Sequence, residues 1–497
     1  MKKKFKYLLG LAFAAIGGTA FAQAQGNKAY QEQYRPQVHF SPAEHWVNDP
    51  NGMVYFNHTY HLFYQYYPKG IVWGPMHWGH AESKDLIHWT QLPIALYPDS
   101  LGYIFSGSAV VDSNNTSGFG KKGKVPLVAI FTHHDPKGEK EGKDNFQNQS
   151  LAFSLDNGTT WTKYSGNPVL KNPGITDFRD PKVMWYAAQK KWVMTLATKD
   201  HITFYSAPDL KSWKKESEFG ITEGAHGGVW ECPDLFPLKL KGKTYWILIV
   251  NLNPGGPNGG SATQYFIGQF NGNKFTPMDK QTRWLDYGPD EYAGITWGNT
   301  GNRKIFLGWM SNWTYANSVP TEKWRNAMTL PRDLSLKQVN GVMLVASLPV
   351  PELNGIKVAA KSIAPNKASR FTGRGLLKLS TASLDDYSVT LSNSVGDELI
   401  IGYDKKNGQY YIDRTRAGNT AFQKDFSGRF FAPRLSSSRS SDLTVVIDVA
   451  SVELFADQGL TTMTTIIFPN KPFDHVEVKS KDKLMNLKLS DLNTIWK

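Results

Sequence analysis

The sequence predicts an all-β protein: a β-propeller followed by a β-sandwich. Three observations predict it. From about residue 35 to 345, short aromatic or β-branched runs are broken by Gly, Pro, Asn and Asp, with no long amphipathic helix among them. A Ser, a turn Asp and a following Trp recur within that stretch. Beyond residue 368, alternating strands follow one another at about ten-residue spacing.

The runs of the first region include Met53–Tyr55, Tyr60–Gln65, Val125–Phe131, Lys191–Ala197, Lys243–Val250 and Lys304–Met310. The repeat reads Ser83…Asp85…Trp89, Ser154…Asp156…Trp161 and Ser206…Asp209…Trp213, with Gly268…Asn271…Phe275 as a looser fourth copy. One copy every ~50–70 residues suits a four-stranded propeller blade. Aromatic density falls near Leu348-Pro-Val-Pro-Glu352, so 348–367 reads as a linker and 368–497 as the sandwich. Strands there include Leu376–Leu379, Tyr387–Leu391, Glu398–Tyr403, Leu443–Asp448 and Thr462–Ile467.

The N-terminus has a basic Met-Lys-Lys-Lys start, an apolar Tyr7–Ile16 run and small residues at Ala20, Ala22 and Ala24. That is a secretory signal peptide over 1–24, which implies a periplasmic or extracellular protein. Cys232 is the single cysteine, so no internal disulfide forms. The formal charge is +13, and four of those lysines (Lys2, Lys3, Lys4, Lys6) lie in the leader. The remaining lysines are scattered without a basic stripe, which argues against nucleic acid. No other apolar run is long enough to span a membrane. No metal or nucleotide motif is present, and no cofactor is expected. Pro254–Gly260 lacks the context of a phosphate loop and reads as a mobile loop of the late propeller. Sixteen Trp and 22 Tyr in a β protein favour a carbohydrate ligand, because their rings stack on sugars.

Candidate chemistry starts at His45-Trp-Val-Asn-Asp-Pro-Asn-Gly52. Asp-Pro-Asn-Gly is turn chemistry that would hold Asp49 at a strand end. A lone motif of this kind would be a surface Asp capping a turn. Two further acids change that reading: Asp180 in Phe178-Arg-Asp-Pro181, and Glu231 in Trp230-Glu-Cys-Pro-Asp234. Successive blades of a propeller bring equivalent strand starts to one central channel, so the three acids can share a pocket. Glycoside cleavage needs one carboxylate to attack the anomeric carbon and one acid to protonate the leaving oxygen. A carboxyl in an apolar frame suits the acid, which fits Glu231. Asp49 fits the ionised nucleophile. Asp180, beside Arg179, should stay ionised and hold sugar hydroxyls.

Together these three blocks resemble the signatures of glycoside hydrolase family 32, the invertases, inulinases and levanases. Phe105-Ser-Gly-Ser108, Trp309-Met-Ser-Asn-Trp313, Pro320-Thr-Glu-Lys-Trp-Arg325 and Ser451-Val-Glu-Leu-Phe455 extend the resemblance over nearly the whole mature chain. The resemblance implies a catalytic five-bladed β-propeller over 25–347 and a C-terminal β-sandwich. It implies a retaining cleavage of β-fructofuranosidic bonds in levan, inulin or sucrose through a fructosyl-enzyme intermediate, with Asp49 as nucleophile, Glu231 as acid/base and Asp180 as stabiliser. By the same resemblance, Asn48, Gln65, Trp73, Phe105, Ser106, Arg179, Tyr292 and Trp313 would bind the fructose unit. Glu291 departs from the aromatic residue that relatives often place before the Tyr, and is expected to alter the pocket rim. Cys232 is expected as a packed pocket wall.

Exo-action by a soluble enzyme on a fructan or fructo-oligosaccharide is the expected mode. Endo-acting levanase or inulinase and fructosyltransferase activities remain open with the same residues. An inverting arabinanase or xylosidase on the same scaffold conflicts with the Asn-Asp-Pro-Asn-Gly and Glu-Cys-Pro blocks. A non-catalytic fructan binder conflicts with the presence of all three acids.

Overall fold

A computed structural model describes residues 30–481 and 483–496; the expected signal peptide lies outside the described residues. Among them, five sheets of four or five strands form the first region and two six-stranded sheets the second. The inner strands of the five blades are His45–Phe56, Tyr103–Val111, Phe178–Tyr186, Val229–Leu240 and Tyr292–Thr296. Each touches the next, and the fifth touches the first, so the sheets close into a ring. Trp324–Arg325 then pairs in parallel with His45–Trp46 and adds a fifth strand to the first blade. Radial packing of this kind leaves each blade only short, protected edges.

The repeat marks the outer hairpin of the first four blades. Ser83 and Ser154 end third strands, Ser206 lies one residue from the end of another, and each Trp directly precedes the fourth. Asp85 Oδ1 accepts from the backbone N–H of Ile87 and His88, Asp156 Oδ1 from Thr160, and Asp209 Oδ1 from Lys211 and Ser212. The indole N–H of each Trp donates back into the turn: Trp89 to Leu86 O, Trp161 to Gly158 O and Trp213 to Leu210 O, at 2.9–3.1 Å. In the looser fourth copy, Asn271 Oδ1 takes the N–H groups of Asn273 and Lys274. An Asx turn satisfies backbone donors that a four-residue reversal would otherwise leave bare.

The sandwich sheets run Lys361–Ser362, Leu484–Asp491, Gly375–Thr381, Asp442–Asp448, Ser451–Ala456, Thr461–Ile466 and Ser369–Arg370, His475–Ser480, Tyr387–Ser392, Glu398–Asp404, Gln409–Arg416, Arg429–Pro433. Alternating buried Leu, Val, Ile and Tyr from both sheets fill one core. The stretch 348–367, read as a linker, carries a 3-10 turn at Pro351–Ile356 and the edge strand Lys361–Ser362, which pairs with Leu489 and Lys488. Pro254–Gly260, read as mobile, is pinned to the sandwich. Asn258 donates to the carbonyls of Tyr287 and Phe431 and accepts from the Phe431 N–H.

Buried ions join propeller to sandwich. Arg332 donates to Asp286 (2.9 Å), Glu453 and Thr464 (2.6 Å). Arg414 donates to Asp290 (2.6 Å) and to the Tyr315 hydroxyl (2.9 Å). His39 lies 2.8 Å from both Asp448 and Glu453. Removing one member of such a network strands charge in the interior. Arg332→Ala should destabilise the fold by about 3–5 kcal/mol, read as a fall in the urea midpoint. A shift under about 0.5 kcal/mol would contradict the role given to this contact.

Burial opposes the His39 charge, yet Asp448 and Glu453 outweigh it and raise its pKa from 6.5 to about 9. A raised histidine contributes stability in full below the unfolded value and loses it as pH climbs through the folded one. Unfolding midpoints should therefore fall between pH 6.5 and 9, and fall less in His39→Gln than in the wild type.

Candidate active site

Every inner strand breaks its pairing register at one level of the ring. The irregularities lie between Val47 and Pro50, between Ile104 and Gly107, between Arg179 and Lys182, between Glu231 and Asp234, and between Tyr292 and Ile295. A regular strand sends neighbouring side chains to opposite faces; a bulge inserts an unpaired residue and re-aims them. Local sequence explains the breaks. Pro50, Pro181 and Pro233 have no N–H to donate to a ladder. Asp180, Cys232 and Ala293 adopt φ of +64°, +42° and +55°, a costly region for non-glycine residues. Gly52 sits at φ +50°, and a Cβ there would come within 2.7 Å of Phe63 and Trp78. Asp-Pro-Asn-Gly therefore forms no chain reversal. Strand His45–Phe56 runs straight through it, kinked by two bulges.

The bulged residues line one cavity of about 250 Å³ at the ring centre. Asn48, Asp49, Gln65, Trp73, Phe105, Ser106, Arg179, Asp180, Glu231 and Trp313 all face it. Tyr292 stands behind, with its hydroxyl donating to Glu231 Oε2. His134, Glu139, Gln147 and Asp177 also line the cavity and were not singled out from the sequence.

Asp49 is held from several sides. The Ser106 hydroxyl donates to Oδ2 at 2.5 Å and the Asn48 amide to Oδ1 at 2.9 Å. Asn48 is itself fixed by the Trp46 indole at 2.7 Å. The Cys232 thiol lies 3.4 Å from Asp49 Oδ2, and its backbone N–H donates to Asp180 Oδ2 at 3.1 Å. Trp313 stacks on Trp46 at 5.9 Å, and Trp73 meets Phe105 edge-on at 6.1 Å.

Arg179 serves Glu231 more than Asp180. Its Nη2 and Nε donate to Glu231 Oε1 at 2.9 and 3.2 Å and its Nη1 to Asp177, while Asp180 is 3.9 Å away. Glu231 is thus set in a polar frame of guanidinium and phenol, while the preceding Trp230 is fully buried in the core on the other side of the strand. Burial opposes the Arg179 charge, but Glu231, Asp180 and Asp177 together push its pKa up.

The two aspartates differ from the sequence expectation. Burial, helped by Glu231, lifts Asp49 above the usual carboxylate range against the pull of Ser106 and Asn48. Burial lifts Asp180 to about 7, with Glu231 and Asp49 adding to the rise and Arg179 opposing it. Three acids around one cation cannot all ionise without cost. Glu291, expected at the rim, is instead 1 % exposed in the core near Asp286 and Arg332. Burial and Asp286 raise its pKa to about 8, so at neutral pH it is largely a protonated acid.

A central propeller pocket with clustered carboxylates, amides and aromatic walls defines a glycoside-processing enzyme. Comparison with known proteins agrees. The glycosyl hydrolases family 32 N-terminal domain matches residues 39–347, and the glycosyl hydrolases family 32 C terminal matches 354–496. A levanase of Bacillus subtilis (strain 168) is 43% identical over 517 residues, covering 99% of this chain and 74% of the relative. An extracellular exo-inulinase of Aspergillus niger is 40% identical over 521 residues, covering 96% of each. The crystal structure of the exo-inulinase of Aspergillus awamori superposes with a TM-score of 0.87 at 37% identity, over 94% of this chain and 100% of that one. A Schwanniomyces occidentalis fructofuranosidase complexed with fructose gives a TM-score of 0.85 at 32% identity, over 94% and 100%. The chain belongs to glycoside hydrolase family 32.

The site also fixes the state of its thiol. Cys232 is 5 % exposed, and burial together with Asp180, Asp49 and Glu231 pushes its pKa well above the ordinary thiol value. Thiolate is the reactive form. Native protein at pH 8 should therefore resist iodoacetamide, while urea-unfolded protein should gain one carbamidomethyl group by mass spectrometry. Rapid native labelling would contradict the packed-wall assignment.

Proposed function

We propose that this chain is a secreted, retaining, exo-acting β-fructosidase that releases fructose from the ends of fructans and also cleaves sucrose. The observation that carries this reading is Asp49, braced by Ser106 and Asn48, sharing one cavity with Glu231 and its Arg179–Tyr292 cradle. The levanase and exo-inulinase names of its relatives supply the substrate class, and the extracellular relatives support export. A cavity of about 250 Å³ suits one terminal sugar rather than a chain lying across the protein.

In the first step Asp49 attacks the anomeric carbon while Glu231 protonates the departing oxygen, and a fructosyl ester forms on Asp49. In the second, Glu231 takes a proton from water, which attacks the same carbon and frees fructose with its configuration retained. Asp180 and Arg179 hold ring hydroxyls as charge develops. A bound sugar brings hydroxyl donors to Asp180 and favours its ionised form. Asn48, Gln65, Ser106, Phe105, Trp73 and Trp313 bind the same ring. Tyr292 acts through Glu231, which it orients. Transfer to a second sugar would follow the same path with sugar replacing water.

Asp49→Asn and Glu231→Gln should each lower kcat by about 10³-fold or more on levan, inulin and sucrose. Undiminished turnover in either would remove its assigned role. Chromatography of wild-type products should show fructose alone; a ladder of oligomers would mean endo-action. Proton NMR of the first-formed sugar should show the β-anomer.

A further inference from the structure

The outer wall of the pocket contains a carboxylate without a role in the steps above. The short helix Pro136–Lys140 brings Glu139 to the cavity that holds Asp49 and Glu231. Its side chain is 56% exposed, and Oε2 lies 3.1 Å from His134 Nε2. Oε1 has no hydrogen-bond partner among the described residues.

His134 fixes that carboxylate. The imidazole stacks flat on Phe105, 4.2 Å between centroids and 7° between planes. Gln147 Oε1 accepts the Phe178 N–H at 2.9 Å and Arg179 Nη1 at 3.5 Å. Its amide nitrogen therefore faces His134 Nδ1, 3.3 Å away. That nitrogen is the acceptor, so the single ring proton belongs on Nε2 and is donated to Glu139. Burial favours the same neutral ring, lowering the His134 pKa against the pull of Glu139. A neutral brace orients Glu139 but leaves its negative charge uncompensated.

The charge of the cavity is lopsided. Among the described residues, Asp49, Glu139, Asp177, Asp180 and Glu231 line it, against Arg179 as the one cation and no lysine. Arg179 is already shared between Glu231 and Asp177. The leaving group departs on the Glu231 side, from which Arg179, Gln147 and His134 lead outward to Glu139.

Resting on the proposed fructosidase reading, we propose that Glu139 sets leaving-group specificity. Its free oxygen accepts a hydroxyl of an uncharged sugar unit, and its charge rejects a phosphorylated one. Orientation comes from His134, and the neutral imidazole offers a phosphate nothing to pair with.

The test compares kcat/KM for sucrose and for sucrose phosphorylated on its glucose unit, in wild type, Glu139→Gln and Glu139→Lys. Wild type should favour the neutral sugar by at least about tenfold. The preference should narrow about fivefold in Glu139→Gln and further in Glu139→Lys, with the change carried by KM. Thermal unfolding checks that both variants are folded. An unchanged preference across the three proteins would overturn the assignment, as would equal losses on both substrates through kcat. Absence of fructose release from any substrate by the wild type would instead overturn the fructosidase reading, and this inference with it.

Discussion

The register break shared by the five inner strands is the constraint on which the site depends. In an unbroken strand, Asn48 and Asp49 would point to opposite faces, as would Phe105 and Ser106, Arg179 and Asp180, or Glu231 and Cys232. The bulges let both members of each pair serve the cavity. Eight residues of four inner strands are thereby gathered around one cavity of about 250 Å³. The cost is backbone strain at Asp180, Cys232 and Ala293, which the rigid ring of neighbouring blades holds in place.

Crowding has an electrostatic consequence. Asp49, Asp180 and Glu231 compete for one guanidinium, and Arg179 settles on Glu231. Both aspartates are pushed toward protonation by burial and by other acids. A sugar arriving with several hydroxyl donors stabilises the ionised carboxylates by hydrogen bonding. Substrate binding and the charge state of the site are therefore coupled.

Much of this was legible in the sequence because the signals were local. The Ser…Asp…Trp repeat is a self-contained turn, with donors and acceptors a few residues apart, so its chemistry survives in one dimension. The Asp49, Asp180 and Glu231 blocks were legible because a Pro marks each bulge, joined by a Gly in the first. The same residues misled on conformation, since Pro and Gly serve a bulge as well as a turn, and only pairing with Thr59–Tyr67 distinguishes them. His134, Gln147 and Asp177 carried no motif: their roles arise from contacts between the second and third blades and with Phe105. Glu291 was misplaced because its neighbour Tyr292 reaches Glu231 from behind the cavity wall, whereas Glu291 itself turns into the core near Asp286 and Arg332.

Asp290, Glu291 and Tyr292 occupy three consecutive positions with three destinations. Asp290 is gripped by Arg414 of the sandwich, Glu291 is buried near Arg332, and Tyr292 touches Glu231. One peptide segment thus carries the docking of the second domain to within a single residue of the acid. The natural unit of exchange between relatives is consequently not the propeller by itself. Recombination that swaps the sandwich alone would pair a foreign arginine with a native aspartate and shift the phenol that cradles Glu231, whereas moving the fifth blade and the sandwich together keeps that anchorage whole.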